Sequence, residues 1–76
     1  MSKEDIEAEG WDLILNGFGF WLFKLCDYRI QYLYGKDVMY VSEKNELGAF
    51  DVIYKGKVPD RDTFRLIMKL LMIEEE

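Results

Sequence analysis

Histidine is absent from this chain, and cysteine and proline occur once each, as Cys26 and Pro59. Without histidine, no imidazole-centred triad and no His-ligated metal site can form. A lone thiol has no internal disulfide partner, so a reducing compartment is expected. Positive charge is also scarce: ten Lys and Arg stand against fifteen Asp and Glu, a net of −5. Nucleic-acid binders draw much of their affinity from cations that neutralise phosphates, so direct nucleic-acid binding is not expected. No apolar run reaches the ~20 residues of a membrane span. The start, MSKEDIEAEG, is charged where a signal peptide is apolar. These absences together predict a soluble protein of the cytoplasm with no membrane partner.

What the chain does have is hydrophobic and aromatic side chains, 50% and 16% of its 76 residues. That is a rich supply for one small domain spanning residues 1–76. The densest stretch is Phe18 to Tyr34, in which seven of seventeen residues are aromatic. Such a mixture suits a pleated, half-buried sheet better than a helix.

Ser2 ahead of Glu4 and Asp5 predicts an N-cap and a short helix over Lys3 to Glu9, stopped by Gly10. Strands are expected at Trp11–Leu15, Phe18–Leu25, Tyr28–Tyr34, Val38–Ser42 and Ala49–Lys55. Asn16-Gly17 reads as a type I′ hairpin turn, Cys26-Asp27 as a second tight turn and Gly35-Lys36-Asp37 as a third. From Arg61 to Ile73 the period becomes helical: Phe64, Ile67, Met68 and Leu71 share a face that Leu70 widens. Asp60 and Asp62 offer caps, and Glu74 to Glu76 oppose the helix dipole, which predicts a frayed end. The expected class is α+β: an antiparallel meander of four to five strands, a short N-terminal helix, and a C-terminal amphipathic helix packed on one face.

Alternation then sorts the strands into two faces. The charge-free sets assemble a core of Trp21, Phe23, Ile30, Tyr32, Val38, Tyr40, Phe50 and Val52. The opposite face mixes Lys24, Arg29, Gln31, Asp51 and Lys55 with Phe18, Phe20, Leu22, Leu33, Met39, Val41 and Ile53. Either the sheet curls and buries that face against itself, or the face is an interface. The expected partner-binding residues are Phe18, Phe20, Leu22, Arg29, Leu33, Met39, Val41 and Ile53. Glu4, Asp5, Glu7 and Glu9 would form an acidic rim that steers the surface toward a basic target.

Nothing here points to catalysis. Cys26 lacks a base and reads as a small buried turn residue, the carboxylates belong to a helix surface and to caps, and Gly17-Phe-Gly19 opens a strand rather than a helix. No catalytic residue, metal ligand or cofactor is expected. Tyr28, Tyr32, Tyr34, Tyr40 and Tyr54 read as packing rather than as a stacking platform for bases.

The segments Glu9-Gly-Trp11, Tyr34-Gly-Lys-Asp37, Phe50-Asp-Val-Ile-Tyr-Lys-Gly-Lys57 with Pro59-Asp60, and Phe64-Arg-Leu-Ile-Met-Lys-Leu-Leu71 carry a resemblance in plan to small proteins of phages and mobile elements. That resemblance implies binding and blocking a host factor in the host cell cytoplasm, as anti-CRISPR proteins do. It carries over no residue-level role. The expectation is therefore a non-catalytic protein-binding module that occludes a host protein such as a CRISPR or other nucleic-acid-processing effector. The alternative is a structural homo-oligomer paired through the same sheet face.

Overall fold

Ser2 begins the first helix with a reciprocal capping box. Its hydroxyl accepts the Asp5 amide at 3.2 Å, and the Asp5 carboxylate accepts the Ser2 amide at 3.0 Å. The computed structural model describes residues 1–73, and this helix, α1 (Lys3–Glu7), is its first element. Five strands follow, β1 (Asp12–Asn16), β2 (Trp21–Leu25), β3 (Tyr28–Leu33), β4 (Val38–Lys44) and β5 (Phe50–Lys57), and then α2 (Arg61–Leu70). The strands pair in sequence order, every neighbour antiparallel, so the fold is an α+β meander.

Both helices pack on one side of the sheet. The core joins Ile6 and Trp11 from the N-terminal segment to Phe23, Ile30, Tyr32, Met39 and Val41 from the strands. Val58, Phe64, Ile67, Met68 and Ile73 close it from the C-terminal segment. Leu70 does not widen the buried stripe of α2; it is 73% exposed. The helix ends with Met72 in the left-handed region (φ 60), the Ile73 amide donating to the Met68 carbonyl and the Met72 amide to that of Lys69. This is a Schellman ending with methionine where glycine is usual, and it turns Ile73 back into the core. The expected fraying at Glu74 to Glu76 lies outside the described residues.

The first hairpin turns two residues later than Asn16-Gly17 suggests. Asn16 pairs with Trp21, the Gly17 amide donates to the Phe20 carbonyl at 2.9 Å, and Phe18-Gly19 forms the tip. Gly19 supplies the positive φ (86°). Gly17 is needed for another reason: a Cβ there would stand 2.4 Å from the Phe20 ring, which lies across it. The Cys26-Asp27 turn forms as expected, with Cys26 at φ 52 and exposed rather than buried.

The third turn decides the rest. A three-residue loop would set Tyr34 opposite Val38 and send Val38 and Tyr40 into the core. The observed turn has four residues, Tyr34 to Asp37, with Asp37 at φ 54, so Leu33 pairs with Val38 and Tyr32 with Met39. One residue of register moves every side chain of β4 to the other face. Met39 and Val41 are fully buried, and Val38 and Tyr40 face the opposite way. In β5 a bulge at Ile53 sets Tyr54 opposite Val41 but Val52 opposite Ser42, so Val52 and Phe50 leave the core side too. A second bulge lies at Ile14 in β1, so each edge strand is irregular, which blunts edge-to-edge pairing.

Tyr32 holds this turn in place. Its hydroxyl is buried 2.8 Å from the Val58 carbonyl and 3.0 Å from Asp37 Oδ1, and the Val58 amide donates to the Asp37 carbonyl at 2.7 Å. Burial, with the Asp37 carboxylate adding to it, pushes the phenol well above its usual value. Because the folded value is the higher one, this stabilisation is complete below about pH 10 and is lost as pH rises past it. Tyr32→Phe leaves two acceptors short of a donor and should cost about 1–3 kcal/mol in urea unfolding at neutral pH. Tyr28, raised by burial and by Glu43, weakens the fold in the same alkaline direction. The gap between wild type and Tyr32→Phe should therefore shrink above about pH 10; a gap independent of pH would show that the hydroxyl does not hold the turn.

Candidate functional site

With both helices on one side, the other side of the sheet is left open, and the strand registers place its residues in rows. One row runs Asp12, Lys24, Arg29, Ser42, Val52 across β1 to β5. The next runs Leu15, Leu22, Gln31, Tyr40, Lys55, and a shorter third row is Leu33, Val38, Lys57. Lys44 and Phe50 pair at the far corner. None of the described elements covers these rows. Val52 is 60% exposed, Leu15 48% and Phe50 40%, while Leu22, Leu33, Val38 and Tyr40 are half-buried by their neighbours.

The sheet therefore does have an open, partly apolar face, but its membership differs from the sequence-based expectation. Leu22, Arg29 and Leu33 lie on it. Met39 and Val41 are core residues, for the register reason given above. Ile53 is the bulged residue at the β5 edge, 38% exposed. Phe18 is fully exposed at the hairpin tip, and Phe20 sits in the same turn over Gly17. Val38, Tyr40, Phe50 and Val52, expected inside, are on the open face instead. Asp51, expected on this face, pairs with Glu43 on the other side and accepts from Asn45 Nδ2 at 3.2 Å.

Charge on the face was read from the sequence in part: Lys24, Arg29 and Lys55 were expected here, whereas Lys44 and Lys57 lie beyond the expected strands and Asp51 turns to the other side. Lys24, Arg29, Lys44, Lys55 and Lys57 all lie on it, and among the described strand residues Asp12 is the one carboxylate that joins them. Half of the ten cations thus share one face, leaving five cations and fourteen carboxylates for everything else. Lys24 stands directly opposite Arg29, a like-charge cross-strand pair that costs stability. Two of the cations lie over aromatic rings: the Arg29 guanidinium is 4.8 Å from the Phe50 ring centre and Lys55 Nζ is 5.6 Å from that of Tyr40. The observed β4 register brings Lys44 to this face, and the longer β5 adds Lys57.

The acidic rim divides. Glu4 and Glu7 are exposed on α1, and Asp5 is committed to the capping box, whose hydrogen bonds from Ser2 hold its carboxyl below the usual range. Glu9 is not free at all. Its Oε2 accepts Arg61 Nε at 2.8 Å, Arg61 Nη2 at 2.7 Å and Arg65 Nε at 2.9 Å, tying the turn after α1 to α2. Burial alone would raise the Glu9 carboxyl; the hydrogen bonds and charges of the two arginines outweigh it and lower it.

Beside this clamp, Glu9, Trp11, Leu25, Arg65, Met68, Lys69, Met72 and Ile73 line a shallow, half-open groove of about 360 Å³. Its one carboxylate is the saturated Glu9. Among the described residues, no three His, Cys, Asp or Glu side chains gather closely enough to hold a metal ion, and no helix is long and apolar enough to cross a membrane.

Compared with known proteins, the chain matches no family model, no curated protein and no solved structure.

Glu9→Gln removes the carboxylate that both arginines share and should destabilise by about 1 kcal/mol, the half-exposed arginines being partly screened. Since the Glu9 carboxyl is lowered on folding, its contribution is present above the unfolded value and lost as pH falls through the folded one. Glu4→Gln and Glu7→Gln should stay within about 0.5 kcal/mol of wild type. Thermal unfolding of the three variants at pH 7 and in acid separates clamp from surface; equal effects would remove the clamp.

Proposed function

We propose that this chain is a non-catalytic protein-binding module that acts by occlusion, with the open face of the sheet as its binding surface. The observation that carries this is the uncovered set of rows: Leu15, Leu22, Leu33, Val38, Tyr40, Phe50 and Val52 line one face with no described element over them. Seven such side chains exceed what a self-contained monomer needs to show, and an apolar patch of this kind rimmed by polar residues is the usual form of a protein interface. The irregular edges favour docking on the face over addition of a strand. Blocking a host protein inside a host cell is the role implied by the resemblance to phage and mobile-element proteins, and we propose it on that ground.

The rival reading, a homo-oligomer paired through the same face, is disfavoured by charge. A two-fold interface would set Lys24, Arg29 and Lys55 of one copy near their own kind in the other.

Leu22→Glu on the open face and Leu66→Glu on α2 test the assignment. Leu66 is 57% exposed and lies away from the sheet. Affinity-tagged chains carrying each change, mixed with extract of the producing cell, are read by quantitative mass spectrometry and cross-linking. Leu22→Glu should lose about tenfold or more of whatever the wild type holds, a change of about 1.4 kcal/mol, and Leu66→Glu should lose none. The reverse pattern would move the site to α2. A stable dimer in light scattering that buries Leu22 and Leu33 would replace occlusion by self-assembly.

A further inference from the structure

The chain carries a net charge of −5, yet its uncovered face is cationic. We infer that the open face docks an acidic protein surface: Asp- and Glu-rich, with a few large apolar side chains among the carboxylates. This rests on the reading of that face as a binding site and adds the chemistry of the partner. It also reverses the sign expected from the acidic N-terminal segment, whose Glu9 is held by Arg61 and Arg65.

Three features of the face fix this chemistry. The first is sign: five cations and one carboxylate project from it. A partner carboxylate between Lys24 and Arg29 would convert a repulsive cross-strand pair into a bridged one, so the pair that weakens the free protein is satisfied in the complex. The second is the apolar component. Leu22, Leu33, Val38 and Val52 form aliphatic ground between the cations, which suits leucine or phenylalanine side chains and offers nothing to phosphates. The third concerns the rings. Tyr40 and Phe50 are the aromatic residues of these rows, and each already carries a cation of this chain, so neither presents a bare ring for a base to stack on. Beyond the face the remaining residues hold fourteen carboxylates against five cations, which would repel a polyanion long enough to run off the sheet. A compact acidic patch meets no such barrier.

Amide shifts of the isotope-labelled full chain, read by NMR, test this with three probes: a short Glu-rich peptide bearing Leu and Phe, its Lys-for-Glu counterpart, and oligothymidylate. The acidic peptide should move the amides of Leu22, Gln31, Tyr40 and Lys55, and its affinity should fall between about 50 and 200 mM salt as charges on the rim are screened. Lys24→Glu with Lys55→Glu should weaken it about tenfold; Lys24→Gln with Lys55→Gln gives a smaller loss and keeps the test open should the reversed pair not fold. If the Lys-for-Glu peptide binds the same amides as well or better, the acidic-partner inference is overturned while the face remains a docking site. Tighter binding of oligothymidylate there overturns it in favour of nucleic acid. If none of the probes moves the face, both the partner chemistry and the reading of the face are overturned.

Discussion

The four-residue turn from Tyr34 to Asp37 is the constraint on which the rest of this structure depends. It sets Leu33 against Val38, and with that pairing the side-chain period of two assigns every residue of β4 to a face. Tyr32 fastens the turn from below: its hydroxyl reaches Asp37 and Val58 together, so the turn between β3 and β4 and the link from β5 to α2 close on the same buried atom. Asp37 sits at positive φ without being glycine, a conformation that costs about 1 kcal/mol and persists where neighbouring contacts over-determine it. Tyr32 and the Val58 amide are those contacts.

From this register the division of labour follows. Met39 and Val41 go inward to meet Ile30 and Tyr32, and α2 brings Phe64, Ile67 and Met68 down on them. Glu9, just after α1, is held by Arg61 and Arg65 of α2, so a five-residue helix too short to persist alone becomes part of the lid. The two described helices cover one side of the five-stranded sheet, and no described helix lies over the other. Among the described elements the open face follows from the topology, and its residue content calls for a functional account.

Local signals in the sequence located nearly every element. Ser2 and Asp60 cap the helices, the apolar period of α2 is plain, and glycine, asparagine and aspartate mark the turns to within two residues. What local signals do not carry is loop length and bulging, and these set the faces. Val38 to Val41 contains no charge to show which parity faces water, so a turn one residue longer than expected exchanges Val38 and Tyr40 for Met39 and Val41 unseen. In β5, Ile53 is as good a strand residue as its neighbours, and nothing in its identity announces a bulge. The candidate site suffers accordingly. Leu22, Arg29 and Leu33, on strands whose charges fix their parity, were legible; Tyr40, Phe50 and Val52 were not. Glu9 was legible as a carboxylate but not as a clamp, because its partners are 52 and 56 positions away.

Net charge is a sum, and the physics of an interface acts on its distribution. A value of −5 hides a sheet face on which Lys24, Arg29, Lys44, Lys55 and Lys57 converge. Lys24 stands between Asp12 on β1 and Arg29 on β3, so its repulsion with Arg29 is offset only in part. Cation–aromatic contacts at Phe50 and Tyr40 recover part of that cost in the free protein and also hold Arg29 and Lys55 flat against the sheet. A guanidinium already held in position loses less side-chain freedom when a carboxylate arrives, which lowers the entropic cost of docking. The same contacts that offset like charge on the uncovered face would thus prepare it for the acidic partner we infer.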